Sequence, residues 1–224
     1  MNAILFLGDF FRDARCINMA DSIIDAGKDI VIIDTGHGAE IYRNKKIHHI
    51  TLSASGIYKY LKFYQQSKKI LKALSPICII AGDLYSLPSA ASQSSAKLIY
   101  DSREIYTQLA GLKGSPMKQF FWSIIERIYI NKASTVIVTA ESDGVVLKYI
   151  YEHISCITLK NLPSKKNIPT YTIDLYSKLN IPSSSPIFLY QGGLLKGRGI
   201  NLMIQTLNHF KKAHAVIILS LIHI

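Results

Sequence analysis

Short apolar runs alternate with segments of helical periodicity along most of the chain. The runs typical of buried strands lie at residues 3–7, 30–33, 47–52, 77–81, 97–100, 135–138 and 155–159, and helical patterns lie at 15–25, 57–74, 118–130 and 142–151. Strands that alternate with helices form βαβ units, so the pattern predicts an α/β domain with a parallel sheet over residues 1–162. In the helix at 118–130, the spacing predicts an inward face made of Phe121, Ile124, Ile125 and Ile128.

The composition changes between residues 163 and 186, where Pro, Ser, Lys and Asn dominate and one short helical stretch lies at 173–179. This segment is predicted to be a linker. A strand at 187–190, a helix at 200–213 and a strand at 216–219 then predict a second α/β domain over 187–218. Three elements bury too little surface to close a core, so this domain is expected to be incomplete as given.

The last residues, 219–224, read LSLIHI. They can be encoded by CTG TCT CTT ATA CAC ATC, which is the end sequence used by a common library-preparation transposase. We therefore expect this tail to derive from an adaptor, and the source DNA decides the matter.

Apolar runs in the chain are too short to span a bilayer, and no secretory signal precedes the first strand, so we expect a cytoplasmic protein. The three cysteines are Cys16, Cys78 and Cys156. They are odd in number, widely spaced and set in apolar sequence. This favours small buried hydrophobic side chains over disulfides or a metal site.

The formal net charge of +11 permits a negatively charged partner, and much of the excess lies at 57–74. That segment carries five lysines and no acid, interleaved with aromatic residues. It predicts either a solvated lysine face opposite a core face, or a helix that rests on anionic lipid. Nucleic acid is not expected as a partner, because no helix-turn-helix, zinc-finger or RNP-type motif is present.

Two polar strings follow predicted strands and therefore fall at the carboxyl edge of the sheet, where ligands bind in open α/β folds. The string GDFFRDARC provides Gly8, Asp13 and Arg15. It lacks GxGxxG, so no dinucleotide cofactor is predicted. Asp13 either caps the following helix and pairs with Arg15, or faces the cleft.

The second string, YDSREIYTQL, places Asp101, Arg103 and Glu104 directly after a strand. We expect these charges to line the ligand-binding cleft at the carboxyl edge of the sheet. The alternative is a structural ion pair. Thr139 and Ser142, which follow a later strand, are predicted to cap the next helix.

The segment IFLYQGGLLKGRGINLMIQTL breaks an apolar run at a glycine pair, passes two cations and continues with helical periodicity. Gly192 and Gly193 let the backbone approach a ligand closely. Lys196 and Arg198 stand just before a helix N-terminus, where cations are unfavourable unless an anion binds. The segment predicts a phosphate-binding loop.

Taken together, FFRDARCINMADSIIDAGKDIVII, LIYDSREIYTQL, ERIYINKASTVIVTAESDGVVLKYIY, ITLKNLP and FLYQGGLLKGRGINLMIQTL resemble the retaining glycosyltransferases of family 4. The resemblance implies the GT-B architecture of two Rossmann-like domains, with acceptor binding in the first and nucleotide-sugar binding in the second. It also implies a sugar nucleotide as donor, no cofactor and no required metal. The acceptor is expected to be a cell-envelope glycan or a lipid-linked intermediate, at the inner face of the cell membrane.

Carried over by position, Gly192, Gly193, Lys196 and Arg198 match the loop for the donor phosphate. Arg103 and Glu104 are the candidate catalytic residues, although the family often has His where Arg103 stands, which puts a proton-transfer role in doubt. The family's acidic E-x7-E segment is not found, so the chain as given is expected to be inactive.

Two other functions fit part of the pattern. A nucleotide-sugar 2-epimerase shares the two-domain layout but uses carboxylates and His, and the early histidines are His37, His48 and His49. A non-catalytic scaffold at the membrane would keep the helix at 57–74 and dispense with the phosphate loop.

Overall fold

The computed structural model describes residues 1–109, 112, 114–162, 173–194 and 198–219. The chain divides into two compact units, Met1–Ser164 and Lys165–Ile224. The strands are β1 (Asn2–Leu5), β2 (Ile30–Asp34), β3 (Ile41–Tyr42), β4 (Lys45–His49), β5 (Cys78–Ala81), β6 (Lys97–Ser102), β7 (Thr135–Val138), β8 (Cys156–Thr158), β9 (Ile187–Gln191) and β10 (His214–Ile218). The helices are α1 (Ala14–Asp25), α2 (Gly56–Leu74), α3 (Leu87–Ala91), α4 (Pro116–Ile130), α5 (Glu141–Ile150), α6 (Leu175–Leu179) and α7 (Ile200–Leu207).

The first unit is built on an eight-stranded sheet in the order β3-β4-β2-β1-β5-β6-β7-β8. Every pair in it is parallel except β3 with β4. This confirms the predicted α/β fold with a parallel sheet. The β3–β4 hairpin was not predicted. It turns through Arg43 and Asn44, both with positive φ, the backbone conformation that a two-residue hairpin turn requires.

Helices cover the two faces of this sheet unequally. On one face α1 packs through Cys16, Met19 and Ala20 against the central strands. The other face is covered by α2, α3, α4 and α5, which bury residues such as Phe63 and Leu147. The central strands β1 and β2 are therefore covered on both sides, and all five residues of β2 are buried.

The orientation of α4 differs from the prediction. Phe121, Ile124 and Ile128 are exposed, although the spacing placed them inward. The buried positions of this helix are Glu126 and Ile130. Periodicity found an apolar face correctly, but only Ile125 of the four predicted residues packs against the core. Phe121 and Ile125 also border a surface groove beside α2 and α3.

The start of α5 also differs from the prediction. Its N-cap residue is Ala140, without a side-chain hydrogen bond, so neither Thr139 nor Ser142 caps it. The hydroxyl of Thr139 instead lies 3.0 Å from Asp143 and 3.3 Å from the carbonyl oxygen of Arg103. Two acids in the first turn, Glu141 and Asp143, supply favourable charge at this helix end.

In the second unit, β9 and β10 form a parallel pair connected through α7. The rings of Phe188 and Phe210 pack with centroids 5.0 Å apart. Helix α7 ends at Leu207, earlier than the predicted residue 213, at Asn208 and His209, which have low helix propensity. The predicted short helix before β9 is present as α6. Residues 163–172, the first part of the predicted linker, and the tail at 220–224 lie outside the described residues.

Candidate functional site

The carboxyl edge of the first sheet contains the point at which the strand order reverses. The chain moves from β1 to β2 on one side and later enters β5 on the other side of β1. Loops that leave two such strands diverge and form a crevice, which is the usual ligand position in open α/β sheets. Here the loops after β1, β5 and β6 come together at this point.

Arg15, in the first turn of α1, binds Asp101 at the end of β6. Its Nε and Nη2 atoms donate to the two carboxylate oxygens at 2.8 Å and 2.6 Å, and Nη1 donates to the carbonyl oxygen of Leu159 at 2.8 Å. The side chains of Arg15 and Asp101 are buried. The predicted pairing of Arg15 with Asp13 is therefore wrong, because Asp101 offers both oxygens in the planar geometry that a guanidinium favours.

Asp13 performs the capping role that was predicted for it and also binds Arg103. One carboxylate oxygen accepts a hydrogen bond from the Cys16 amide at 2.8 Å, and the other binds Nη1 of Arg103. Because a cap needs only one oxygen, the two interpretations of Asp13 are compatible.

Arg103 is held by three side chains and lies over a fourth. Its remaining donors reach Asp101 at 3.3 Å and the sulfur of Cys16 at 2.8 Å, and its guanidinium lies 5.7 Å from the centre of the Phe6 ring. Burial disfavours its charge, but the facing carboxylates outweigh burial and the pKa of Arg103 is raised. About a fifth of the side chain remains exposed.

Asp83, just after β5, is a buried carboxyl group that the sequence analysis missed. It accepts hydrogen bonds from the amides of Leu7 at 2.6 Å and Ser86 at 2.7 Å. Burial raises the pKa of Asp83, while these donors and the nearby Arg103 oppose the rise. The signal was available, because an acid that directly follows a buried strand falls at this same edge.

The remaining predicted residues of this edge, Gly8 and Glu104, form hydrogen bonds through their backbone carbonyl oxygens. The carbonyl oxygen of Gly8 accepts hydrogen bonds from the amide and hydroxyl of Thr35, at 2.8 Å and 3.1 Å. A side chain at Gly8 would meet the Phe6 ring, so glycine fits the close approach there. Glu104 is exposed, and its carbonyl oxygen accepts the Ser102 hydroxyl at 3.1 Å.

The structure thus gathers Asp13, Arg15, Asp101 and Arg103 into one ionic network, hereafter the edge network, with Asp83 beside it. Its cations are largely neutralised by neighbouring carboxylates. A network of this kind can fix the loops around a ligand. His49, at the end of β4, is bound to Asp34 at 2.6 Å.

The predicted phosphate loop lies in the second unit. Gly192 has a φ of 144°, which favours glycine, and its amide donates to Ile218 at 3.0 Å. The Tyr190 hydroxyl donates to the carbonyl oxygen of Gly193 at 2.7 Å. Helix α7 begins after Gly199, a positive-φ residue that provides no side-chain cap, and Arg198 is exposed just before it. Lys196 lies outside the described residues.

Within the described ranges, no cluster of three or more His, Cys, Asp or Glu side chains has the arrangement of a metal site. The three cysteines are free thiols, with Cys16 buried and the others partly buried. Among the helices of the described residues, none combines the length and apolar content needed to span a bilayer.

Solved structures with the same fold are glycosyltransferases of the GT-B type. Sucrose-phosphate synthase from Thermosynechococcus elongatus matches 97% of this chain and 62% of its own, with a TM-score of 0.73 and 14% identity. WaaG, a glycosyltransferase involved in lipopolysaccharide biosynthesis, matches 98% of this chain and 63% of its own, with a TM-score of 0.72 and 10% identity. HepE from Anabaena, in complex with UDP and glucose, matches 96% of this chain and 60% of its own, with a TM-score of 0.62 and 15% identity.

The same fold occurs in a second class of enzyme. A structure described as a UDP-N-acetylglucosamine 2-epimerase from Listeria monocytogenes matches 96% of this chain and 62% of its own, with a TM-score of 0.57 and 12% identity. The chain therefore has a GT-B fold and spans less than two thirds of the length of these similar proteins. Comparisons of the sequence with protein-family profiles and with curated proteins give no match.

Proposed function

We propose that this chain belongs to a retaining glycosyltransferase of family 4. In this proposal the whole enzyme transfers a sugar from a nucleotide sugar to a cell-envelope glycan or a lipid-linked acceptor. The observation that carries the proposal is the GT-B fold, which the chain shares over nearly its whole length with several glycosyltransferases. The complex of HepE with UDP and glucose supports a nucleotide sugar as donor.

In this proposal the first unit binds the acceptor at its carboxyl edge, where the edge network fixes the loops. The loop from Gly192 to Arg198 receives the donor diphosphate. Its amides, the start of α7 and the charges of Lys196 and Arg198 would stabilise the diphosphate as it leaves the anomeric carbon. A metal ion is not required, because protein cations carry out this neutralisation.

Calorimetric titration of the whole protein with UDP-, GDP- and ADP-sugars tests this proposal. The double variant Lys196→Gln, Arg198→Gln should weaken binding of the preferred donor by at least about tenfold, because two cations facing the diphosphate are lost. The matched control is Lys211→Gln, Lys212→Gln, which changes the net charge equally at exposed positions of the same unit. Equal donor affinity in both variants would contradict the assignment of this loop to the donor diphosphate.

The 2-epimerase remains the second candidate, supported by the shared fold of the Listeria protein. An epimerase removes a ring proton of its nucleotide sugar, whereas a transferase does not. Incubation of the whole protein with UDP-N-acetylglucosamine in D₂O separates the two, since only an epimerase would introduce deuterium at C2. His49 and His48 are the histidines to replace if deuterium appears.

We also propose that α2 brings the protein to an anionic membrane surface on the cytoplasmic side. Lys62, Lys68, Lys69 and Lys72 of this helix are exposed, and α2 contains no acid. Sedimentation with neutral and anionic vesicles at increasing salt tests this, because each exposed lysine contributes about 1 kcal/mol to binding at an anionic surface. Binding to anionic vesicles by a whole protein that binds no nucleotide would favour the scaffold function.

A further inference from the structure

A groove lies on the surface of the first unit between α2, α3 and α4. Its cavity volume is about 400 Å³, which is within the usual range for small-molecule sites. None of its described lining residues is charged. We call it the aromatic groove. The lining residues used below are Tyr58, Tyr60, Leu61, Tyr64, Tyr85, Phe121, Trp122 and Tyr129.

The floor of the aromatic groove is a packed set of rings. Tyr60 and Tyr85 each contact Trp122 edge to face, with ring centres 4.9 Å apart in both pairs. Tyr60 and Tyr85 also lie 4.9 Å from one another. Rings that pack on three sides have little freedom, so the groove is formed before any ligand binds.

Apolar side chains continue from the groove onto the protein surface. Tyr58 and Leu61 on α2 and Phe121 on α4 line the groove and have exposures of 69%, 50% and 42%. The edges of the groove therefore leave large apolar side chains in contact with water. Patches of this kind on soluble proteins mark a site that another molecule covers.

Two lysines lie beside rings that line the groove. The ammonium group of Lys68 lies 5.6 Å from the centre of the Tyr64 ring, and that of Lys132 lies 5.4 Å from the centre of the Tyr129 ring. Both tyrosines line the groove. Glu126, the acid of α4, is fully buried and cannot neutralise these lysines.

We propose that the aromatic groove binds one hydrocarbon chain of an anionic lipid, whose phosphate lies beside Lys68 and Lys132. An apolar interior favours a chain, and the two lysines favour a negative head group. This goes beyond adsorption of α2 on a membrane, because it requires one chain to leave the bilayer and enter a defined site. It rests on the proposed function only in expecting a lipid surface near the first unit.

Trp122 is the single tryptophan of the protein and lines the groove, so its fluorescence reports directly on occupancy. Titration of the whole chain with monomeric dodecyl phosphate should shift the emission to shorter wavelength in a saturable manner. Octyl phosphate should bind roughly a hundredfold more weakly, because four methylene groups fewer are buried. Inorganic phosphate should produce no shift.

Variants locate the site. Leu61→Glu should weaken dodecyl phosphate binding by about tenfold or more, because a carboxylate would enter the apolar groove beside an anion. The exposed helical leucine Leu202 provides the matched control, Leu202→Glu, which should bind as the unchanged protein does. Lys68→Gln, Lys132→Gln should weaken binding about tenfold, whereas the exposed pair Lys28→Gln, Lys97→Gln should not.

Three results would overturn the proposal. They are equal binding of the octyl and dodecyl probes, equal binding of dodecyltrimethylammonium, and unchanged binding by Leu61→Glu with native circular dichroism. A fluorescence shift produced by an amphipathic peptide but not by dodecyl phosphate would also overturn it in favour of a protein partner. Donor titration is a separate measurement. Binding of dodecyl phosphate without binding of any nucleotide sugar would support the lipid site and contradict the proposed transferase function.

Discussion

Arg15 and Asp101 form a buried bidentate ion pair although 86 positions separate them in the chain. The pair joins the first turn of α1 to the end of β6, and the third hydrogen bond of Arg15 adds the segment after β8. A cation near a helix N-terminus is normally unfavourable, and Asp101 offsets this cost. The pair therefore fixes the loops at the carboxyl edge of the sheet.

Replacing Arg15 should destabilise the first unit strongly. Arg15→Met leaves the buried Asp101 carboxylate without its main partner, so we expect a loss of about 3–5 kcal/mol in the free energy of unfolding. The matched control is Arg43→Met, which breaks the exposed pairs of Arg43 with Asp21 and Asp25 and should cost far less stability, because water screens exposed ion pairs. Urea denaturation measures both. Similar losses in the two variants would show that the buried pair contributes no more than the exposed ones.

His48 and His49 should respond to pH in opposite directions. Burial lowers the pKa of both rings, but for His49 the hydrogen bond and charge of Asp34 outweigh burial, so its pKa is raised above 6.5. A ring with a raised pKa stabilises the fold fully below 6.5 and loses that contribution as the pH rises through its folded-state pKa. His49→Gln should therefore cost most stability in mildly acidic solution.

The adjacent ring provides the control. His48 keeps a lowered pKa, so the folded state resists its protonation and stability is lost as the pH falls below 6.5. His48→Gln should remove that loss and make the protein relatively more stable at low pH. NMR titration of the two imidazoles, together with urea denaturation across the range, tests the pair. Parallel pH profiles for the two variants would contradict the assignment.

Glu126 should make the fold less stable as the pH rises. The hydroxyls of Tyr100 and Tyr151 each donate to this buried carboxylate at 2.7 Å, yet burial outweighs them and raises its pKa above 4.5. As the pH rises, the Glu126 carboxyl group loses its proton in the unfolded chain before it does so in the folded protein. The free energy of unfolding therefore falls between pH 4.5 and the higher folded-state pKa. Glu126→Gln should remove this slope, whereas the exposed Glu152→Gln should leave it in place. Urea midpoints measured across that range provide the test.

Cys16 should be the least reactive of the three thiols. It is fully buried, and burial raises its pKa, so little thiolate is available to react. Cys78 and Cys156 are only partly buried. Alkylation followed by peptide mass spectrometry should label Cys16 more slowly than the other two in the native protein, and all three at similar rates in urea. Rapid native labelling of Cys16 would show that the edge network opens in solution.

The alternation of strands and helices was predictable because each element carries its own local pattern. Period and composition identified most of the strands and the long helices to within a few residues. The two-residue strand β3 was missed, because an element this short contains a single period of the strand pattern. Helix α3 was also missed, whereas α6, which is equally short, was predicted.

Contacts between distant segments were less predictable. The sequence offered Asp13 as the neighbour of Arg15, whereas the strand order brings Asp101 to it. In the same way, an apolar helical face does not reveal how much of it meets the core, so Phe121, Ile124 and Ile128 of α4 were predicted to point inward although they are exposed. Both errors concern tertiary placement, which periodicity does not encode.

One carboxylate connects three elements of the first unit, because Glu126 on α4 receives hydroxyls from Tyr100 on β6 and from Tyr151 just after α5. Loss of the acid during evolution would leave two buried hydroxyl groups without their hydrogen-bond acceptor. Homologues that carry Leu in place of Glu126 should consequently have Phe in place of both tyrosines, so that these three positions are inherited as a set.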